Sequence, residues 1–210
     1  MKRIAAIATF NGRQEYLKKA VASLAHQVDE IRIYDNEVRP IDLTDNGKFY
    51  FLHEYKEPVY YFTCDDDLLY PPTYIQDMIQ AIERTSSIVT HHGRILRGQG
   101  LRYYSGHKSY HCLNENRFEA RIHVAGTGVT GFRTDYFNPV DIWQSEDKCM
   151  SDLVFSVEAA RQGKKITVLK HERGYIKYLD VPLSQTIFGT HRNKDMRQSE
   201  LADLILTLSA

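Results

Sequence analysis

The sequence predicts a single α/β domain, residues 1–210, with a mostly parallel central sheet flanked by helices. Two observations favour this class. Short apolar runs typical of strands alternate along the chain with runs whose apolar residues recur at helical spacing. The first strand, helix and strand fit into about 35 residues, which is the size of one βαβ unit and predicts a parallel sheet. A chain of 210 residues is also long enough to bury one sizeable core.

The first half of the chain contains four predicted strands. Residues 2–10 (KRIAAIATF) are the first, and a helix follows the Asn-Gly turn. Residues 30–36 (EIRIYDN) alternate apolar and polar side chains, and residues 58–64 (PVYYFTC) form an apolar run, so each is predicted as a strand. A second helix opens at Pro71-Pro72, because proline suits the first turn of a helix. Residues 87–93 (SIVTHHG) complete this half as a strand.

The second half begins with an unusual basic segment. Residues 84–114 contain no Asp or Glu, and we interpret residues 93–114, with their arginines, glycines and tyrosines, as a basic, mobile excursion. A helix is predicted from Ser151, a good N-cap residue, to Gly163, a good residue just beyond the C-terminus. A late strand over 165–170 and an amphipathic C-terminal helix complete the domain.

Composition excludes several classes of protein. The chain has 27 basic and 27 acidic residues, so no overall charge attracts it to nucleic acid or to a membrane surface. We find no apolar run long enough to span a bilayer and no signal-peptide pattern. The three cysteines, Cys64, Cys112 and Cys149, are far apart and odd in number. They are therefore expected to be reduced thiols in a cytoplasmic protein.

Three consecutive carboxylates, Asp65 to Asp67, follow the predicted strand 58–64. Ligands of open α/β sheets bind at the carboxyl ends of the strands, which is where these acids lie. Like charges repel, and a hard divalent cation, Mn²⁺ or Mg²⁺, would neutralise them through oxygen ligands and share them with phosphate oxygens. The alternative is that the acids only stabilise the N-terminus of the helix after Pro71. That effect accounts for one or two acids better than for three.

Four stretches of the chain resemble family 2 glycosyltransferases of the GT-A fold, in the order that family uses. They are IATFNGRQEYLKKAVASL, IRIYDN, YYFTCDDDLLYPPTYI and MSDLVFSVEAARQGKKI, within residues 1–90 and 120–170. The resemblance implies a GT-A (Rossmann-like) fold with a nucleotide-sugar-binding half, residues 1–90, and an acceptor-binding and catalytic half, residues 91–210. This chain has YDN where the family more often has two consecutive acids.

The resemblance also implies which residues form the site. Thr9 to Asn11 would edge the nucleotide base, Asp35 would bind the uracil or its ribose, and Asp65 would lie toward the ribose. The glycines of GTG (126–128) would let the backbone approach the donor sugar or the acceptor. The complete set expected to bind the nucleotide sugar is Thr9, Phe10, Asn11, Arg13, Asp35, Asp65, Gly126, Thr127 and Gly128.

The metal site implied by the family pattern consists of Asp66 and Asp67 together with a histidine near the C-terminus. A D-x-D arrangement of Asp65 and Asp67 is the alternative for the acids. His191, in the polar stretch FGTHRNKD, is the preferred histidine, and His171 is the second candidate.

Asp152 falls on the general base of the family. A base must be ionised to accept the acceptor proton, and the positive end of the helix is expected to keep Asp152 ionised. An ordinary first-turn acid is the competing interpretation of this residue.

These residues predict a metal-dependent inverting glycosyltransferase that uses a UDP-sugar as donor. The acceptor is left open between a glycan, a lipid-linked compound and another hydroxyl compound, and the basic segment favours an anionic one. Peripheral contact with a membrane is compatible with the composition, and the neutral net charge disfavours nucleic acid as acceptor. Two alternatives are a nucleotidyltransferase that makes a sugar nucleotide and a binding module without catalysis. The first usually has a glycine-rich loop that TFNGRQEY lacks, and the second would not need Asp152.

Two further motifs are weak. GTGVTG (126–131) matches the dinucleotide fingerprint, but no helical pattern follows it, so nicotinamide or flavin binding is not expected. HKSYHC (107–112) offers His107, His111 and Cys112 as zinc ligands, but a structural zinc site usually has four.

Overall fold

Twelve strands and four α-helices make up the computed structural model, which describes residues 1–10, 12–182, 184, 186 and 195–210. The strands are β1 (Lys2–Thr9), β2 (Glu30–Asp35), β3 (Val59–Asp65), β4 (Leu68–Leu69), β5 (Ile88–Thr90), β6 (Gly93–Leu96), β7 (His107–Tyr110), β8 (Ala120–Ile122), β9 (Val124–Ala125), β10 (Val129–Arg133), β11 (Ile166–Val168) and β12 (Lys177–Tyr178). The α-helices are α1 (Gln14–Leu24), α2 (Tyr74–Thr85), α3 (Ser151–Arg161) and α4 (Asp195–Ser209), and 3-10 helices cover Thr44–Glu54 and Ile142–Gln144.

The central sheet has seven strands in the order β2-β1-β3-β10-β5-β11-β8. Strand β1 pairs in parallel with β2 and β3, and β5 pairs in parallel with β11. Only β10 and β8 run the other way, so five of the seven strands share one direction. The predicted α/β class with a mostly parallel sheet is therefore confirmed. Because β10 is reversed, its first residues lie at the same edge of the sheet as the last residues of β1 and β3.

The sheet is covered on both faces, which explains why β1 and β3 are apolar almost throughout. Alternate residues of β1 point to opposite sides: Ala5 and Ile7 pack with α1 and α2, whereas Ile4 and Ala6 pack with α3 and the 3-10 helix Thr44–Glu54. Helix α4 packs on the outer side of α3 through Leu201, Ala202 and Ile205. In the described part of the chain, no helix combines the length and the apolar character that crossing a membrane requires.

Two local expectations need correction. Residues 93–114, expected to be a basic, mobile excursion, contain the strands β6 and β7, which pair as an antiparallel hairpin. Ser151 is not the N-cap of α3: Met150 occupies that position without a side-chain cap, and Asp45 accepts the backbone N–H of Ser151 at 3.0 Å instead. The predicted end of the helix is confirmed, since Gly163 follows it with a left-handed φ of 62°.

The candidate active-site cleft

A cleft of about 300 Å³ lies at the edge of the sheet where β1 and β3 end and α3 begins. This is the edge at which open α/β sheets bind their ligands. The sequence-predicted residues that line it are Phe10, Arg13, Asp65, Asp66, Asp67, Thr127 and Asp152. The other described lining residues include Asp45, Lys48, Arg94, Tyr103, Tyr104, Cys149 and Gln198. The topology thus brings the acidic triplet and Asp152 to one cavity.

Asp66 is the least accessible member of the triplet. Its carboxylate accepts a hydrogen bond from the Thr9 hydroxyl at 2.7 Å and pairs with the Arg13 guanidinium at 2.6 Å. Thr9 is fully buried at the end of β1, so both partners hold Asp66 under the floor of the cleft. Burial raises the pKa of Asp66 to about 7, although Arg13 opposes this shift. Asp66 is therefore already bound on both of its oxygens.

Asp65 and Asp67 present more of their carboxylates to the cleft than Asp66. Their side chains are 41% and 17% exposed, against 3% for Asp66. Asp65 pairs with the Lys48 ammonium at 2.5 Å, and Asp67 pairs with Arg13 at 2.7 Å. Asp65 is the last residue of β3, whereas Asp66 and Asp67 form the turn between β3 and β4. The accessible acids are therefore the two of the D-x-D arrangement.

Lys48 and Arg13 keep this acid cluster together. Burial acts to lower the pKa of Lys48, but the carboxylates of Asp65 and Asp45 outweigh it and the pKa is raised. The same competition raises the pKa of Arg13, with Asp66 and Asp67 opposing the effect of burial. Both cations therefore carry their charge in the cleft. A buried cation is tolerated only with such partners, so the acids and the cations stabilise one another.

The charge and chemistry of the cleft fit a hard divalent cation. Five carboxylates, those of Asp45, Asp65, Asp66, Asp67 and Asp152, line it together with three cations, Arg13, Lys48 and Arg94. If all eight of these groups are ionised, the net charge of the cleft lining is −2. No three of the described carboxylates come close enough to hold an ion by themselves. Mg²⁺ and Mn²⁺ suit such a site, because they are commonly bound by one or two carboxylates with water and phosphate oxygens completing the shell.

Asp152 lies in the first turn of α3 and is fixed by Thr127. One carboxylate oxygen accepts both the Thr127 N–H, at 2.7 Å, and the Thr127 hydroxyl, at 2.9 Å. The other oxygen lies 3.5 Å from the Arg94 guanidinium, and the side chain is 34% exposed. The Ser151 hydroxyl, which donates to Asp45 at 2.6 Å, also contacts the Thr127 hydroxyl at 2.7 Å. One oxygen of Asp152 is thus anchored and the other faces the cleft.

Opposing effects act on the pKa of Asp152. Enclosure raises the pKa of this carboxyl above its ordinary value, and Arg94 and the Thr127 N–H lower it by less. The positive end of α3 favours the ionised form, in the same sense as Arg94 and the Thr127 N–H. A raised pKa is nevertheless favourable for a general base, because proton transfer is most effective when the pKa of the base lies near the working pH.

The glycines of GTG are required by close packing. A Cβ at Gly128 would overlap the Asp65 carboxylate, and one at Gly126 would come within 2.7 Å of the His92 side chain. The Tyr70 hydroxyl joins this loop to the triplet, since it donates to the Gly128 carbonyl at 2.8 Å and accepts the Asp65 N–H at 2.7 Å. After the loop the chain enters β10 rather than a helix, so the dinucleotide fingerprint lacks its context, as expected.

The remaining predicted residues occupy different places. Asp35 ends β2 beside Thr9 in register and accepts the Glu37 N–H, so it lies next to the cleft and not among its lining residues. His171 is buried against His91, with 3.3 Å between their Nδ1 atoms, and does not line the described cleft. Asn11 and His191 lie outside the described residues.

Sequence reasoning missed Lys48 and Asp45. Both lie on the 3-10 helix Thr44–Glu54, a segment with neither helical nor strand periodicity. A lone lysine before the aromatic run FYF is a weak signal of a buried cation that needs acidic partners. Arg94 was assigned to the basic excursion, whereas β6 places it on the wall of the cleft over the Tyr103 ring, with 5.2 Å to the ring centre.

The fold is similar to that of solved structures at low sequence identity. The crystal structure of S. aureus TarS 1-349 superposes with a TM-score of 0.51 at 15% identity, over 82% of this chain and 59% of that one. A second S. aureus TarS structure superposes with a TM-score of 0.48 at 13% identity, over 82% of this chain and 36% of that one. The structure of the inositol-1-phosphate CTP transferase from T. maritima superposes with a TM-score of 0.41 at 13% identity, over 98% of this chain and 77% of that one.

The similarity to the TarS 1-349 structure supports the fold and nothing finer. No family model matches the chain, and no curated protein sequence matches it. The chain also spans less than two thirds of the TarS fragment it resembles. The fold is an α/β fold of the GT-A (Rossmann-like) type.

Proposed function

We propose that this protein is an inverting glycosyltransferase that moves a sugar from a UDP-sugar to an acceptor hydroxyl, with Mn²⁺ or Mg²⁺ as cofactor. One observation carries the proposal. Asp152, anchored by Thr127 at the start of α3, opens onto the same cleft as Asp65 and Asp67, which end β3. Glycosyl transfer needs a base for the acceptor hydroxyl and a group of acids that can hold a cation beside the diphosphate. Both are supplied in one cleft of this GT-A-like fold.

The proposed reaction is a single displacement. The carboxylate oxygen of Asp152 that faces Arg94 accepts the proton of the acceptor hydroxyl while the hydroxyl oxygen forms a bond to the anomeric carbon of the donor. The bond from that carbon to the diphosphate oxygen breaks, and UDP leaves with the electron pair. Because attack occurs on the face opposite the leaving group, the configuration inverts. The anchored Thr127 contacts keep the carboxylate oriented toward the acceptor.

The diphosphate side of the cleft is supplied by Asp65, Asp67, Lys48 and Arg13. We assign metal contact to Asp65 and Asp67 and a structural role to Asp66, because Asp66 is bound on both oxygens by Thr9 and Arg13. When bound, the cation would supply positive charge to the departing diphosphate. Lys48 and Arg13 contribute fixed positive charge beside it, which favours the charge that develops on the leaving group.

The acceptor side is assigned to the wall formed by Arg94, Tyr103, Tyr104 and Gln198. Aromatic faces suit sugar rings, and Arg94 supplies a positive charge next to Asp152. An acceptor that carries a phosphate or a carboxylate near its hydroxyl is the best match to this wall.

The test compares turnover with nucleotide affinity. The full chain is first screened by thermal shift with UDP, UDP-sugars, CTP and sugar phosphates, with and without Mn²⁺, because a ligand that binds only the native state raises the melting temperature. UDP release from the best UDP-sugar then measures turnover. Asp152→Asn is expected to lower kcat by about 10²–10⁴ and to leave UDP affinity unchanged. The matched control is Glu146→Gln, an exposed acid just upstream, which should keep wild-type turnover.

Three results would overturn the proposal. Wild-type turnover in Asp152→Asn would show that another group is the base. A joint loss of UDP binding and turnover would place Asp152 in the donor site or in the fold. Stabilisation by CTP with a sugar phosphate, but not by any UDP-sugar, would indicate nucleotidyl transfer instead.

A further inference from the structure

We propose that His92, His111 and Cys112 form a zinc-binding site beside the active-site cleft, separate from the acidic triplet. One ligand atom from each of the three residues can be chosen so that all three lie within 4.8 Å of one another. Among the described residues this is the one group of three or more His, Cys, Asp or Glu side chains with such geometry. The proposal concerns a different ion and different residues from those of the transferase reaction.

The register of the β6–β7 hairpin creates this cluster. Gly93 pairs with Tyr110, so the residues just beyond that pair, His92 and His111, face each other at the open end of the hairpin. Their ring centres are 4.8 Å apart. Cys112 follows directly and is buried. His107 pairs with Leu96 at the other end of the hairpin, and its Nδ1 contacts the Tyr103 carbonyl, so it cannot belong to the same site.

The spacing is close to that of a tetrahedral zinc ion. Zinc–nitrogen and zinc–sulfur bond lengths require ligand atoms about 3.4–3.6 Å apart, so the three side chains need to approach by about 1 Å. His111 is exposed, and its ring accepts a long hydrogen bond of 3.3 Å from the Leu113 N–H. Neither ring nitrogen of His92 has a hydrogen-bond partner among the described residues, so a lone pair of His92 is available for an ion.

The ligand set selects the metal. Two imidazoles and a thiolate favour Zn²⁺ over Mg²⁺ or Mn²⁺, which prefer oxygen ligands. Three protein ligands leave a fourth position, which water fills at this partly exposed site. Mn²⁺ at the acids and Zn²⁺ at this cluster would therefore not compete strongly for the same residues.

The site would act as a clamp on the wall of the cleft. The His92 carbonyl accepts the Gly126 N–H at 2.8 Å, and its side chain packs against Gly126. Gly126 precedes Thr127, which anchors Asp152. An ion that ties His92 to the segment after β7 would thus hold the hairpin against the loop that orients the base. Zinc is expected to raise the melting temperature, since it binds a site absent from the unfolded chain.

Spectroscopy with cobalt tests the site directly. The full chain, purified and stripped with EDTA, is titrated with Co²⁺, and a thiolate-to-cobalt charge-transfer band is expected at one equivalent. Zn²⁺ should abolish this band by displacement and should protect Cys112 from Ellman's reagent. Replacing a ligand should weaken Zn²⁺ binding by at least about 100-fold, more than the loss of an outer-shell partner costs. His111→Asn and Cys112→Ser are the variants, and His107→Asn is the matched control that should bind as wild type.

The outcomes separate this site from the acidic one. Asp67→Asn should leave the charge-transfer band unchanged while it weakens Mn²⁺-dependent UDP binding. The proposal is wrong if the stripped protein gives no thiolate band, if Cys112→Ser keeps the band, or if His107→Asn weakens zinc binding as much as His111→Asn does. Circular dichroism of each variant confirms that it is folded, and His111 is exposed, so its replacement removes little packing.

Discussion

Replacing Arg94 by methionine is expected to move the acid limb of the pH–rate profile to higher pH by about one unit. In the proposed mechanism Asp152 must be ionised to act as the base, so turnover should rise as the pH passes through its pKa. Arg94 lies 3.5 Å from the second carboxylate oxygen and lowers the pKa of Asp152. Removing this cation therefore raises the pKa, and a higher pH is needed to ionise the group. Methionine retains much of the packing against Tyr103 without the charge.

The size of the shift follows from the geometry. Two unit charges 3.5 Å apart interact by about 1–2 kcal/mol when the effective dielectric constant is near that of water. That choice suits a carboxylate that is 34% exposed, for which solvent screens most of the attraction. One pKa unit corresponds to about 1.4 kcal/mol, which gives a shift of about one unit.

The assay is kcat as a function of pH for the wild type, Arg94→Met and Arg97→Met. Arg97 is exposed at the end of the same hairpin strand, so its replacement removes one charge without touching Asp152. Its profile should coincide with that of the wild type. An unmoved limb in Arg94→Met, or a limb that moves to lower pH, would refute the assignment of Asp152 as the titrating base.

Three further outcomes are expected. Asp67→Asn should weaken Mn²⁺-dependent UDP binding by about tenfold or more, whereas Asp66→Asn should keep it, and calorimetry that finds equal losses would contradict our division of the triplet. Asp45→Ala should lower the free energy of unfolding, measured by urea denaturation, by about 1–2 kcal/mol, because α3 loses the carboxylate that accepts its first N–H. An unchanged free energy of unfolding would mean that water caps the helix equally well. Ellman's reagent should modify Cys149 first, because it is the most accessible of the three thiols. Cys64 should react last: burial raises the pKa of Cys64 and Cys112 alike, but Cys64 is fully enclosed in β3 whereas Cys112 is slightly exposed. Rapid reaction of Cys64 would show that β3 opens easily.

The elements that could be predicted from the sequence are those in which nearly every side chain is buried, so that the sequence is apolar along its whole length. β1 and β3 are covered on both faces and are apolar at nearly every position, so their identity as central strands follows from composition alone. The position of the cleft then follows from the rule that ligands bind at the carboxyl ends of parallel strands. Cys64, Cys112 and Cys149 form no disulfide with one another, which agrees with their odd number and wide spacing.

The parts that could not be predicted depend on pairing between distant segments. Nothing local in TDNGKFYF indicates that Lys48 will meet Asp65, because their pairing requires β3 to bring the triplet beneath a 3-10 helix. Proximity along the chain grouped His107 with His111 and Cys112, whereas the hairpin register selects His92. The reason is that strand pairing brings side chains of different strands together. Two residues four positions apart along one strand are too far apart to share an ion.

The central position of β10 has a consequence for how the protein folds. This strand comes from the second half of the chain, yet it lies between β3 and β5, which come from the first. Residues 1–90 alone would therefore leave β3 and β5 each with an open, unpaired edge where β10 belongs, a surface prone to pairing with other chains. During synthesis the sheet cannot close until residue 133 has emerged, and these long-range contacts should make folding slow for a chain of this size. The cleft is likewise incomplete until β10 has formed, because Val129, which pairs with Cys64, directly follows the loop that contains Thr127.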